Sequence, residues 1–575
     1  MPDKQPDNSQ LADFFPIVHW LKNYTRRDFD GDIFAGIITA ILLVPQGIAY
    51  AILAGLPPQM GLYASILPTA IYALLGTSRT LSVGPVSIAA IMIASALATP
   101  GVSALGNPVQ SALILAAESG LIMLMMALLR MGNLVNFISH PVLAGFTSGA
   151  ALLIIASQIP QLAGLKPPSC GIDEDCYQNY LQGVNVASLV LSMSALSLLI
   201  FFGKPLSKLL KKTTLPLTLI TAISKCGPLL TVFLATFATT FFDLDSGYKV
   251  AMVGEVPSGF PAISLDFIDI AKWQPLLPSA TFIALIAYIE SVAIAKVTAN
   301  LRGEKIIPNQ ELIALGVANL VTAISGGMAV AGGFSRTMVN FSAGARTQIA
   351  MLIAATILGF SVIFFSAWFA NIPKAALAAI IIVAVFRLVR VRHIFHTLNY
   401  DRGDGIAELV TLLGVLALGI EQGITLGIIL TLTSQLRKTS QPHIAVVGRI
   451  PQTEHFRNIK RHSVETWHHL LLVRIDESLT FANVSYVEDY LADELSRQPN
   501  IKHVVLIFTS VSDIDATALE ALEAINHDLQ ASGKTLNISE AKGPVLDKLA
   551  KTDFLEQLKP GKVFFRTEDA AKELG

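Results

Sequence analysis

Long apolar runs fill the chain from about Ile33 to about Leu436, and short polar stretches separate them. A helix needs about 20 predominantly apolar residues to cross a bilayer. On that basis spans are expected at 33–55, 61–76, 85–99, 109–129, 141–164, 186–202, 215–242, 279–299, 309–325, 334–344, 348–369, 374–389, 405–419 and 421–436. Two of them, 85–99 and 334–344, are short and follow glycine-rich breaks. Ser82–Ser87 reads SVGPVS, and Gly326–Thr337 reads GGMAVAGGFSRT. The breaks fall in corresponding places of two sets of seven segments, the pattern of a repeated transporter fold whose interrupted helices meet at mid-membrane.

Past Leu436 the pattern changes. Charge and histidine become frequent, and the apolar runs shorten to strand length. Strands are expected at Leu470–Ile475, His503–Phe508 and Thr535–Ile538, with helices at Tyr486–Leu495, Ala518–Leu529 and Val545–Ala550. This alternation predicts a small α/β domain over 439–575, after a transmembrane domain over 33–438 and an N-terminal segment over 1–32. Within that segment Met1–Gln10 is polar and does not resemble a cleaved signal peptide. Leu11–Tyr24 mixes Phe14, Phe15 and Trp20 with charge, which suits a helix lying at the membrane interface.

Charge adds an orientation. Lys22, Arg26 and Arg27, then Lys204, Lys208, Lys211 and Lys212, Arg302 and Lys305, Arg387, Arg390 and Arg392, and finally Arg437 and Lys438 all fall on one side when the spans are counted alternately. The positive-inside rule makes that side the cytoplasm, where both the N-terminus and the C-terminal domain then lie. The acidic loop Lys166–Asn185 lies outside, where Cys170 and Cys176 can either pair or stay reduced. Composition agrees with a membrane protein: 53% of residues are hydrophobic, 14% are charged, and mean hydropathy is +0.58. A formal charge of -1 gives no sign of nucleic acid, and the three cysteines have no metal-ligand spacing, so neither metal nor cofactor is expected.

The chemistry concentrates at the breaks. An arginine near the bilayer centre costs roughly 2.5–3.5 kcal/mol on insertion scales, so Arg336 is expected to face a protein interior or an aqueous cavity. A half-helix starting at Phe334 or Ser335 places free N–H groups and a positive dipole end beside its guanidinium, which makes an anion site. The competing reading has Arg336 snorkelling to an interface while the glycines serve close packing. The second break, where Pro85 is expected at the first helical position ahead of Val86 and Ser87, argues for the anion site. Gln46 and Tyr50 lie one turn apart on the first span and share a face. Glu290 in the eighth span reads as a counter-ion to Arg336, a titratable coupling group, or both; its structural alternative is a satisfied interhelical acid, as Glu118 is expected to be.

VPQGIAYAILAGLPPQMGLYAS (Val44–Ser65), LGTSRTLSVGP (Leu75–Pro85), GGFSRT, and IFTSVSDIDATALEALEAI (Ile507–Ile525) together resemble the sulfate permease (SulP) family of anion transporters, with a C-terminal STAS domain. The resemblance covers nearly the whole chain. It implies an α-helical polytopic membrane protein with a seven-plus-seven inverted repeat, a core domain moving against a gate domain, a homodimer, and a cytoplasmic STAS domain. Carried onto this sequence, the family's anion pocket uses Gln46, Tyr50, Pro85, Val86, Ser87, Phe334, Ser335 and Arg336, and Glu290 matches the acid associated with coupling. Anti-sigma antagonists of the STAS type carry a phosphorylatable serine after the loop aspartate. Here Asp515-Ala516-Thr517 has threonine there, which is expected to cap a helix and is the candidate regulatory position.

The expected function is secondary active transport of a small anion across a lipid bilayer, with proton-coupled sulfate uptake leading and no enzymatic activity. Sodium-coupled bicarbonate transport and dicarboxylate or chloride transport or exchange stay open. So do an anion channel, a nucleobase transporter of similar repeat architecture, and a membrane sensor whose α/β domain carries the function. A nucleobase site would need carboxylates rather than Arg336, and a mere anchor would need neither arginine nor broken helices.

Overall fold

Thr25 and Asp28 decide where the first membrane helix begins. The Asp28 N–H donates to the Thr25 hydroxyl at 3.3 Å, and the Thr25 N–H donates to the Asp28 carboxylate at 3.0 Å. This reciprocal cap starts α1 (Arg26–Leu53) well ahead of the expected position 33. The computed structural model describes residues 15–21, 24–136, 139–165, 183–213, 226–256 and 263–575, with isolated positions 220, 223, 258 and 259. The loop carrying Cys170 and Cys176 lies outside the described residues, as does most of the stretch between 214 and 225 that was expected to open the seventh span.

The helices that follow are α2 (Leu67–Leu75), α3 (Ser87–Ala98), α4 (Pro108–Leu128), α5 (His140–Leu162), α6 (Val186–Phe202) and α7 (Gly227–Phe241). After them come α8 (Trp273–Arg302), α9 (Pro308–Ile324), α10 (Phe334–Ser342), α11 (Ile349–Ala370), α12 (Lys374–Phe386), α13 (Arg402–Leu418) and α14 (Ile420–Ser440). Each expected span meets one of these helices. Among the described residues, six helices are long and apolar enough to cross a membrane, so this is a multi-pass membrane protein.

Three expectations change. The second span is not one helix: Pro58–Tyr63 forms a short helix and α2 starts afresh at Leu67, because Pro68 has no N–H to continue the earlier turn. An additional helix, Val391–Tyr400, is too polar to have been read as a span. Near the N-terminus, the described part of the expected interfacial helix is Ile17–Leu21, where Ile17 and Trp20 are buried; the short helix packs on α2.

Close packing relies on residues without side chains. A Cβ on Gly61 would sit 1.9 Å from the Gly47 carbonyl oxygen of α1. Gly61→Ala is therefore expected to lower the thermal midpoint of the purified chain by several degrees. Gly101→Ala, whose added Cβ meets nothing within 4 Å, is the matched control that should melt like wild type. Likewise α4 and α9 approach through Gly120 and Gly316, where a Cβ on the first would lie 2.7 Å from the carbonyl oxygen of the second.

The two breaks meet. Strands β1 (Val83–Gly84) and β2 (Ala331–Gly332) pair antiparallel, Val83 opposite Gly332 and Gly84 opposite Ala331. Two residues per strand cannot satisfy an irregular backbone at membrane depth, and side chains from the surrounding helices complete it. The Asn319 amide donates to Val330 O at 3.0 Å and accepts from the Val330 N–H at 2.9 Å. Thr69 donates to Val83 O, Asn340 to Thr80 O, and Gln348 to both Ser78 O and Leu81 O.

The chain divides into two compact units after Ile428. The second contains a six-stranded sheet in the order β4-β3-β5-β6-β7-β8, from β3 (Ile444–Arg449), β4 (Phe456–Asn458), β5 (Leu470–Ile475), β6 (His503–Ile507), β7 (Thr535–Ser539) and β8 (Val563–Phe564). β5 through β8 are parallel, and β3 and β4 add antiparallel at one edge. Alternate residues of β5 feed separate cores, Leu471 and Val473 one of them and Leu470 and Leu472 the other.

Candidate functional site

Both strands of the crossing lead directly into helices. Val86 holds extended angles (φ -130°, ψ 151°), so α3 starts only at Ser87. Gly333 is likewise extended, and α10 starts at Phe334. Neither N-terminus has a side-chain cap. The first-turn N–H groups of two helices are thus left for some other acceptor, and each helix adds a positive dipole end.

Arg336 lies in the first turn of α10 and is only 2% exposed. Its Nη1 donates to Pro85 O, joining residues 251 positions apart, while Nε and Nη2 have no hydrogen-bond partner among the described residues. The glycines make room for it. A Cβ on Gly333 would lie 3.0 Å from Nη2, and one on Gly84 would lie 3.2 Å from the same nitrogen. A buried cation with two nitrogens unpaired among the described residues, beside two uncapped helix starts, can hydrogen-bond only by donating, and so favours a negatively charged acceptor.

Pro85 does not open α3 as expected. It precedes the extended Val86, outside the helix, and presents its carbonyl to Arg336. Tyr50 is buried within electrostatic reach of Arg336 and Glu290, with Ser87 beside its hydroxyl. Gln46 is buried one turn earlier on α1. Glu290 on α8 feels Arg336 and lines a narrow crevice with Val86, Ile88, Ala89 and Met92. Phe334, 42% exposed, and Ser335 occupy the open side of the first turn of α10. The structure therefore gathers Tyr50, Pro85, Val86, Ser87, Arg336 and Glu290.

Among the buried carboxylates that the sequence pattern did not single out, Glu311 and Asp32 hold the loops around the crossing. Glu311 at the start of α9 accepts from the Tyr72 hydroxyl (2.6 Å), the Thr77 hydroxyl (2.5 Å) and the N–H groups of Thr77 (2.8 Å) and Ser78 (3.1 Å). Asp32 on α1 has the same kinds of donor: the Tyr24 and Thr347 hydroxyls and the N–H groups of Arg346 and Thr347. One anchors the loop entering β1 and the other the loop leaving α10. Their signal was an acid near a span end, which reads equally as an ordinary interfacial charge. Glu118 is the opposite case. It is 1% exposed and neither oxygen has a hydrogen-bond partner among the described residues, so the expected satisfied acid is not satisfied there.

In the second unit Asp515, not Thr517, caps the helix Ala516–Ala531, its carboxylate accepting from the Ala518 N–H at 2.9 Å. Thr517 sits exposed inside the first turn, where its own N–H is one of those needing an acceptor. Nearby, the hydrogen bond from Lys548 holds the Asp513 carboxyl below its usual range.

Comparison with known proteins agrees with this architecture. The profile of the sulfate permease family matches residues 29–411, and that of the STAS domain matches residues 461–571. "Sulfate transporter 4.1, chloroplastic" of Arabidopsis thaliana is 33% identical over 97% of this chain and 82% of its own. "High affinity sulfate transporter 2" of Stylosanthes hamata is 28% identical over 98% and 87%. Among solved structures, murine Solute Carrier 26 family member A9, described as an anion transporter in the inward-facing state, superposes with a TM-score of 0.88 at 20% identity, covering 100% of this chain and 96% of that one. The transmembrane domain of the cyanobacterial bicarbonate transporter BicA gives 0.58 at 21% identity, covering 71% and 98%. With a helical membrane unit of this fold, two interrupted helices meeting at a buried arginine, and a small α/β domain following in the sequence, the chain belongs to the sulfate permease family and carries a C-terminal STAS domain.

Proposed function

We propose that the chain is a secondary active transporter that takes up a small anion, sulfate foremost, together with a proton by alternating access. The observation that carries this reading is Arg336, buried with Nε and Nη2 unpaired between the uncapped starts of α3 and α10. In this reading the helix starts, Arg336, Gln46, Tyr50, Ser87 and Ser335 replace the anion's hydration, with Pro85, Val86 and Phe334 shaping the site. Glu290 supplies the coupling. A bound divalent anion and an ionised Glu290 repel each other across the same guanidinium, and a proton on Glu290 removes that repulsion. Anion and proton then bind and leave together, the sign required for symport.

The reading takes 33–438 as the transporter and 439–575 as a cytoplasmic regulatory domain, with 1–32 and both termini inside and a homodimer as the working assembly. Supporting it are the lysines and arginines that gather on one side of the spans, and the separate family matches to the two regions.

Uptake of labelled sulfate into proteoliposomes tests the reading. Wild type should accumulate sulfate faster with the outside acidic than at matched pH. Glu290→Gln, which mimics the neutral acid, should still bind sulfate but lose that acceleration. A full gradient response in Glu290→Gln would move the proton site elsewhere, and a response to sodium in place of protons would replace the coupling ion.

A further inference from the structure

Glu290 and the crossing strands belong to separate elements, and one hydroxyl joins them. Ser291, the next residue along α8, is fully buried, and its Oγ accepts from the Gly332 N–H of β2 at 2.7 Å. Since an N–H can only donate, the hydroxyl must accept there, and its own proton goes to Ala287 O at 2.5 Å. The contact is close as well as polar: a Cβ on Gly332 would lie 3.1 Å from the Ser291 Cα. Four residues beyond Gly332 is Arg336, in electrostatic reach of Glu290. The titratable groups facing Glu290 among the described residues are Tyr50 from α1 and Arg336 from α10, while α3 presents Val86, Ile88, Ala89 and Met92.

Building on the proton-coupled reading above, we propose that Ser291 is a positioning residue that carries the state of Glu290 to the anion site, by fixing α8 to β2 through the Gly332 N–H. A shift of α8 on charging or neutralising Glu290 then moves β2, and with it Gly333 and the start of α10. Without the hydroxyl, Glu290 still titrates but the crossing no longer follows it. Gly332 is part of the device, because a side chain there would separate the two backbones.

The test is binding of labelled sulfate to the full-length purified chain in acidic and in alkaline buffer, for wild type, Ser291→Ala, Ser291→Cys and Glu290→Gln. Wild type should bind about tenfold more tightly in acid, a difference of about 1.4 kcal/mol. Ser291→Ala should shrink that ratio to about threefold, the share that Glu290 exerts directly across Arg336, and Ser291→Cys, similar in size but a weak acceptor, should fall between that and wild type. Glu290→Gln should be flat. A merely structural serine would weaken binding equally in both buffers and leave the ratio at its wild-type value, which overturns the assignment. Should Ser291→Ala not fold, the ratio in Ser291→Cys decides alone. If wild type itself is flat, the coupling reading and this assignment fall together; if wild type responds and both serine variants respond as fully, only the assignment falls.

Discussion

Replacing Arg336 with alanine is expected to weaken sulfate binding by about 10- to 150-fold while leaving the chain folded and inserted. Hydrogen bonds to a charged group are worth roughly 1.5–3 kcal/mol, and the substitution removes the guanidinium whose Nε and Nη2 are otherwise unpaired. Folding should tolerate the change because the single bond it deletes, to Pro85 O, leaves one carbonyl short of a partner. Arg336→Lys should be intermediate: the charge survives, but one ammonium cannot both reach Pro85 O and offer a planar edge to an anion. Binding of labelled sulfate to the purified chain, with thermal melting as the control for fold, measures both. Wild-type affinity in a well-folded Arg336→Ala protein would remove the arginine from the site.

The largest effect on stability is expected at Glu311. Alanine there leaves the Tyr72 and Thr77 hydroxyls and the Thr77 and Ser78 N–H groups without their acceptor. An orphaned buried group costs roughly 1–3 kcal/mol; Tyr72 and Ser78 are buried and Thr77 partly so, and the sum takes a large share of the stability of an ordinary domain. Glu118→Leu should go the other way. Neither Glu118 oxygen has a partner, and an apolar side chain of similar size removes a desolvation cost without breaking a bond. Thermal unfolding in detergent should rank Glu118→Leu at or above wild type and Glu311→Ala far below it. The reverse order would mean that these hydrogen bonds do not hold the loop before β1.

Much of this was legible in the sequence because a membrane simplifies it. Apolar length locates the spans, and a charge or a glycine cluster inside one is conspicuous, so Arg336, Glu290 and both breaks stood out. Less legible was what lies opposite each group. Asn319 and Gln348 are polar outliers too, but that they bind Val330 and the Ser78–Leu81 backbone depends on how distant helices pack, which no local pattern records. Pro85 was misplaced by local propensity: a proline suits the first helical turn, yet the pairing of β1 with β2 keeps the chain extended through Val86. Thr517 lost the cap to Asp515 on the same grounds, since both residue types cap well and only the backbone path chooses. The edge strands β4 and β8 were missed because FRN and VF are too short to show a period, and β3 was missed although IAVVGR is as long as β5.

The crossing of β1 and β2 also constrains how the protein is made. During synthesis α3 and the strand before it enter the membrane long before Gly332 and Arg336 exist, so for that interval the β1 backbone has no partner strand and Pro85 O no guanidinium. Hydrocarbon supplies no substitutes. The first break must therefore wait beside water, translocon or neighbouring helices until α9 and α10 emerge. An N-terminal half expressed alone would carry that unfinished backbone permanently, and would be a natural target for membrane quality control.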